Sequence, residues 1–246
     1  MTKIHLIIER DIRNFFKYRW WMAGLISMNL ADLFILAIIF SNLIVRLEYF
    51  EFVLPGIAIL ALFASAFTIG REVYGEVRRG IHHYLLSLPV SKWEIIIGRP
   101  IAGGIRGLIY STPMLILAII LSPTPNPELI PMIIPLLFIL AVGISSLAIF
   151  LASVVRNLDA YISIRGLLYF ILMFSSTVFY PIDVFIDLPT PIYYLALYNP
   201  VSHGADMMRE VLQMGFFNPV KALSLTIFSI VFLVVSSILY YRRIRE

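Results

Sequence analysis

The sequence predicts an all-α integral membrane protein: one transmembrane domain over residues 1–246, built from six transmembrane helices. Three observations carry this. The composition is too apolar for water, the apolar residues fall into runs of membrane-crossing length, and the basic residues gather between alternate runs. Hydrophobic residues make up 60% of the chain and charged residues 14%, against about 45–50% and about 25% in soluble domains. Mean hydropathy is +0.91.

Residues 1–19 read as an amphipathic helix. Ile4, Ile8, Ile12 and Phe15 share one face with Ile7 and Phe16 beside it, while Lys3, Glu9, Arg10, Arg13 and Lys17 lie elsewhere. A basic amphipathic helix of this kind suits the headgroup region. Residues 20–45 follow as the first span, since about 20 apolar residues cross the hydrocarbon, with Trp20 and Trp21 as interfacial aromatics. This run follows five basic residues and is too long for a signal-peptide core.

A short hydrophilic turn leads to the second span, 52–70, and the third is 95–121. In the third, Gly103 and Gly107 form a GxxxG pattern open to close helix approach, and Arg106 reads as a snorkelling cation. The Pro-rich run SPTPNPEL at 122–129 must be a loop. Residues 130–155 form the fourth span. A polar turn with Arg156, Asp159 and Arg165 precedes the fifth, 166–181. Over 182–219 aromatic runs alternate with Pro189, Pro191 and Pro200, which predicts external, re-entrant short helices whose irregular backbone is covered by protein or lines a cavity. Residues 220–241 form the sixth span, closed by Arg242, Arg243 and Arg245.

Six spans put both termini on one side. That side carries sixteen of the nineteen Lys and Arg residues, the other only Arg46, Arg209 and Lys221. The positive-inside rule then makes the termini cytoplasmic; the expected location is the cell membrane. The net charge of +4 is explained by topology, so no nucleic-acid partner is implied.

The longest charged interruption, residues 71–94, carries the functional signal. Arg71, Glu72, Glu76, Arg78 and Arg79 prolong the second apolar run as a charged helix projecting into water. Ile81, Tyr84, Leu85 and Leu88 then recur at i, i+3, i+4 and i+7, the spacing of one helical face. Pro89 stops that helix after about two turns. Ser91 and Glu94 make a capping box that starts the next one.

These residues resemble the first cytoplasmic loop of ABC-2 type transporter permeases. The shared pattern is Glu76 four residues before Gly80, then Leu85-Leu86-Ser87-Leu88-Pro89-Val90-Ser91-Lys92, then Gly98-Arg99. Lys92 stands where Arg is commoner and Arg99 where Lys is. Asn199-Pro200 followed by Arg209 and Leu212 resembles the segment before that family's last span, and residues 1–19 resemble its elbow helix. The resemblance implies a permease subunit of an exporter, working with a second permease copy or homologue and with a P-loop ATPase subunit that binds the ATP; no cofactor is implied in this chain. Its coupling helix would meet the ATPase through Arg79, Gly80, Ile81, His82, Tyr84, Leu85 and Leu88. The resemblance also implies an amphiphilic substrate such as a drug, lipid or lipid-linked glycan, and an apolar lumen with few charges fits an amphiphile better than an ion.

Other chemistry has little to stand on. The chain has no GxxxxGK[ST] phosphate loop, no Cys, and four His without metal-ligand spacing. An intramembrane enzyme would need a nucleophile with its base near the midplane, and Ser202-His203 and Ser145-Ser146 are poor matches, so the chain is expected not to be an enzyme. A half secondary transporter would show internal similarity between its span triplets, and none is seen. Asp32, with Asn29 one turn away, lies near the middle of the first span. Such a carboxylate costs about 2.5–3.5 kcal/mol in the membrane and belongs in a hydrogen-bonded or translocation-path position.

Overall fold

The computed structural model describes residues 3–17, 20, 23, 24, 27, 30, 31, 34, 35, 39 and 49–245. The first span therefore lies largely outside the described residues, and so do Asp32 and Asn29. Among the described residues the chain is helical with no strand.

The helices are α1 (Ile4–Lys17), α2 (Tyr49–Phe67), α3 (Ile69–Arg78), α4 (Ile81–Ser87), α5 (Lys92–Leu121), α6 (Ile130–Val154), α7 (Leu158–Phe174), α8 (Asp183–Ile186), α9 (Thr190–Leu197), α10 (Pro200–Met214) and α11 (Pro219–Arg243), with a short 3-10 turn at Pro127–Leu129. Among the described residues four stretches are long and apolar enough to cross a membrane: Tyr49–Arg78, Lys92–Leu121, Pro127–Val154 and Pro219–Arg243. The first of these joins α2 to α3 through a tight turn at Thr68, whose hydroxyl donates to Ser65 O at 2.7 Å. The charged residues after 70 thus continue the apolar run, as their pattern predicts.

α2 is the centre of the bundle, buried along nearly all its length between α5, α6 and α10, while α11 lies along α6 and α1 along α5. Small residues set the spacing. A Cβ on Gly70 would lie 2.5 Å from Ala148 O, and one on Gly103 would collide with the Ser145 side chain. Gly103 and Gly107 therefore mark a real close approach of α5 to its neighbours. With no hydrophobic driving force in lipid, such contacts and small hydroxyls hold the helices together. Ser145 Oγ donates to Ala66 O at 3.2 Å and Ser65 Oγ to Arg106 O at 3.2 Å, each crossing from one helix to another.

Two expectations need correction. The helix expected over 166–181 runs instead from Leu158 to Phe174. Asn157 caps it, accepting from the Asp159 and Ala160 amides, so the polar turn is its first turn rather than a linker. At the other end the Ser175 and Ser176 hydroxyls bond back to Ile171 O and Met173 O, competing with the backbone and closing the helix. Arg106 does not snorkel. It is 1% exposed and its guanidinium pairs with the partly exposed Glu72 of α3.

α1 is amphipathic as expected, but its inner face is Ile7, Asp11 and Phe15 rather than the purely apolar line through Ile4, Ile8 and Ile12. A carboxylate takes the middle of that face because the surface it meets is positive.

Candidate functional site

The tip of the α3–α4–α5 hairpin is built by backbone chemistry. α3 ends where the Arg79 and Gly80 amides donate to Gly75 O and Val77 O. Gly80 then takes φ +70, the left-handed region where a side chain is strained, and turns the chain into α4. α4 stops at Leu88, whose extended backbone is what the residue before a proline prefers. The capping box follows as predicted: Glu94 N–H donates to Ser91 Oγ at 3.2 Å and Ser91 N–H to Glu94 Oε2 at 2.7 Å. Glu94 Oε1 also accepts the Lys3 amide at 2.6 Å, which ties the start of α1 to the start of α5.

The seven residues expected to touch a partner divide into two faces. Leu85 is 3% exposed and His82 is buried, with Ile81 and Leu88 half-buried, whereas Tyr84 is 66% exposed and Arg79 is exposed. At 100° per residue, His82 and Leu85 lie on one side of α4, and His83, Tyr84 and Ser87 on the other. His82 shares the inner face with Leu85, and Tyr84, which the apolar spacing groups with Leu85, points outward. The His82 ring lies 4.0 Å from that of His83. Burial, and after it His83 and Arg243, hold its pKa below the ordinary histidine value, so it sits there neutral. Trp93 stacks on Tyr241 at 5.3 Å, fixing the base of α5 to the end of α11.

Behind the tip lies a buried charge network that no single segment of the sequence announces. Arg99 on α5 donates to both Asp11 oxygens at 3.2 Å and to Glu76 of α3. Arg10 bridges the same two carboxylates, reaching Asp11 at 3.0 Å and Glu76 at 2.9 Å. Further along α5, Arg106 makes a bidentate pair with Glu72 at 2.6 and 2.8 Å, touches Thr68 Oγ1 at 3.3 Å, and lies 4.6 Å from the centre of the Phe15 ring. Three cations and three carboxylates are thus shared among α1, α3 and α5. The signal existed in the spacing: Glu72 and Glu76 at i, i+4 and Arg99 and Arg106 at i, i+7 each mark one face of a helix, and the two faces are complementary. Such a network has no catalytic geometry; it locks the hairpin's position to that of α1.

A family model for ABC-2 type transporters matches residues 2–213, a range that contains the tip and the whole network. The chain belongs to that family. No curated protein matches it. In this ABC-2 transporter chain the residues that carry the family pattern have visible structural duties, since Glu76 and Arg99, its two charged ends, pair with each other.

The second part of the pattern is structural in the same way. Asn199 caps α10, accepting from the Val201 amide at 2.9 Å while donating to Leu172 O at 2.7 Å. Arg209 donates to Phe52 O at 2.8 Å and Val178 O at 2.9 Å, pairs with Asp206 at 3.0 Å, and lies 3.8 Å from the Phe52 ring centre. It fastens α10 to the first turns of α2. Ser202 Oγ is engaged by the Thr177 amide at 3.0 Å.

Proposed function

We propose that the chain is the membrane-spanning permease subunit of an ATP-driven exporter: a six-span half that pairs with a second copy or a homologous permease and with a separate P-loop ATPase. The observation that carries this reading is the exposed Tyr84 face of α4, held at the tip of a charged hairpin whose root is fixed by the network around Arg99. An aromatic side chain in water has no folding reason to be there, and a partner groove would bury it. Closure of the ATPase dimer would push α4. Because Arg99, Glu76 and Asp11 join the hairpin to α1, the push would move α3, α5 and α1 together and shift the bundle between inward- and outward-facing states.

In this scheme Tyr84, with Arg79 at the rim, meets the ATPase, while Gly80, Ile81, His82, Leu85 and Leu88 set the pose of the helix. A photoreactive phenylalanine analogue at position 84 is expected to crosslink the ATPase subunit in membranes, and one at position 85 is not. No product from position 84, or equal yield from both, would remove α4 as the docking element.

The termini belong on the cytoplasmic side of the cell membrane, with residues 1–19 as the elbow, 182–219 outside, and the cargo an amphiphile passing Asp32 and Asn29. The cysteine-free sequence allows a clean check. A single cysteine at Thr124 should react with an impermeant maleimide in intact cells; reaction only after the membrane is breached would invert the topology.

A further inference from the structure

α3 and α7 enclose a cleft of about 700 Å³ whose lining, Arg79 apart, no step above uses. Arg71 and Arg78 line it from α3, Arg79 from the turn that ends α3 and Arg165 from α7, and among the described residues no carboxylate lines it. The acids of α3 are engaged elsewhere, Glu72 with Arg106 and Glu76 with Arg99. Arg71 and Arg78 are exposed and have no ion pair among the described residues, and Arg165 rests its guanidinium 5.2 Å from the Phe67 ring centre with Nε unpartnered. Four guanidinium groups around one recess repel one another, so the recess carries a standing positive potential that an anion would relieve.

The rest of the lining narrows the class of anion. Tyr74 and Tyr161 stack at 4.1 Å and form one side of the cleft. The Tyr74 hydroxyl donates to Arg156 O at 2.9 Å, whereas the Tyr161 hydroxyl is buried without a partner among the described residues. Planar guanidinium forks match the oxygens of a phosphate two at a time, a geometry that the point charge of a lysine does not offer. Beyond the cleft an exposed apolar stripe continues along α7 from Ile162 through Phe170 to Phe174, at the fourfold spacing of one helix face. Gly166 sits in the middle of that stripe, where an added Cβ would meet nothing within 4 Å. The arrangement is a cationic recess for a head with an apolar track for a tail.

We infer that the α3–α7 cleft binds a phosphate group carried by an amphiphile, whose chain lies along Ile162, Gly166 and Phe170. That this amphiphile is the cargo rests on the function proposed above; the binding does not. The permease alone, in uncharged maltoside detergent, is the sample, and its thermal midpoint is read against dodecyl phosphate, inorganic phosphate and dodecyltrimethylammonium. Dodecyl phosphate is expected to raise the midpoint at concentrations where the other two do not. Arg71→Gln with Arg78→Gln, both exposed positions, should weaken that protection about tenfold or more, since removing a charge-assisted hydrogen bond has an effect of that order. Gly166→Leu should weaken it too, by blocking the track, and leaves every arginine in place.

Undiminished protection in the arginine double variant would overturn the site. So would equal protection by inorganic phosphate, which would leave a soluble phosphate as the ligand and no role for the track. If the double variant kept its dodecyl phosphate response but lost the ATPase from co-purification, the arginines would be protein contacts and the inference would fall. Because no ATPase is present in the binding measurement, loss of the Tyr84 crosslink alongside intact phosphate binding would count against the coupling reading alone.

Discussion

Arg99→Leu is expected to be the most destabilising single change in the charge network of α1, α3 and α5, lowering stability by about 3–5 kcal/mol. Arg99 has no exposed side-chain surface and faces two carboxylates, of which Asp11 is 1% exposed. Removing the guanidinium leaves Asp11 and Glu76 to share Arg10 alone, and a buried carboxylate short of a partner loses its hydration without recovering it in a pair. Two controls separate charge from shape. Arg99→Lys keeps the charge but gives up the planar fork that reaches both acids, so it should fall between wild type and Leu. Asp11→Leu combined with Arg99→Leu removes one cation and one anion together, leaving Arg10 with Glu76, and should recover much of the loss. Thermal unfolding of the solubilised permease measures all three. A single Leu variant within about 1 kcal/mol of wild type would mean that water reaches these groups and the network holds nothing.

The fold class was legible because it rests on the coarsest property of the chain, long apolar runs that lipid forces into helices. The tip was legible because its signals are local: Gly80 for a left-handed turn, Pro89 for a stop, and the Ser91–Glu94 box for a start are each decided by backbone chemistry within four residues. What escaped was the pairing of side chains across the fold. Periodicity placed Tyr84 with Leu85, but only the packing of α4 against its own bundle turned His82 inward and Tyr84 outward. Composition made Arg106 look like a cation reaching for the interface, because Glu72 lies 34 positions away and a single-segment reading cannot pair them. Asp11 hid for the same reason, an acid beside Arg10 on α1 whose distant partner, Arg99, is on α5. The helix over Leu158–Phe174 was misplaced because Arg165 and the Asn157 region read as hydrophilic linker, although Asn157 is a cap and Arg165 lies against an aromatic ring.

Tyr84→Ala is expected to leave the permease folded and inserted while it weakens recovery of the ATPase and abolishes transport. The side chain is two-thirds exposed in this chain, so its truncation removes little internal packing. If the ring fills a groove on the ATPase, its burial there contributes about 1.5–3 kcal/mol, which is a factor of roughly ten to a hundred in affinity. Leu85→Ala is the telling contrast. Leu85 is buried in the permease's own core, so its truncation should cost about 2–5 kcal/mol of folding stability and reach the ATPase only through a loosened α4. Arg79 is exposed and its Nε donates only to Gly75 O at 3.1 Å; Arg79→Ala should change recovery little at physiological salt, where an exposed pair is worth about 0–1 kcal/mol. The comparison requires equal membrane levels of each variant, thermal midpoints to set aside folding effects, and ATPase recovery with transport as the two functional readings. Wild-type recovery and transport by Tyr84→Ala would show that the exposed face of α4 docks on nothing the transporter needs, and the push from ATPase to bundle would have to enter elsewhere.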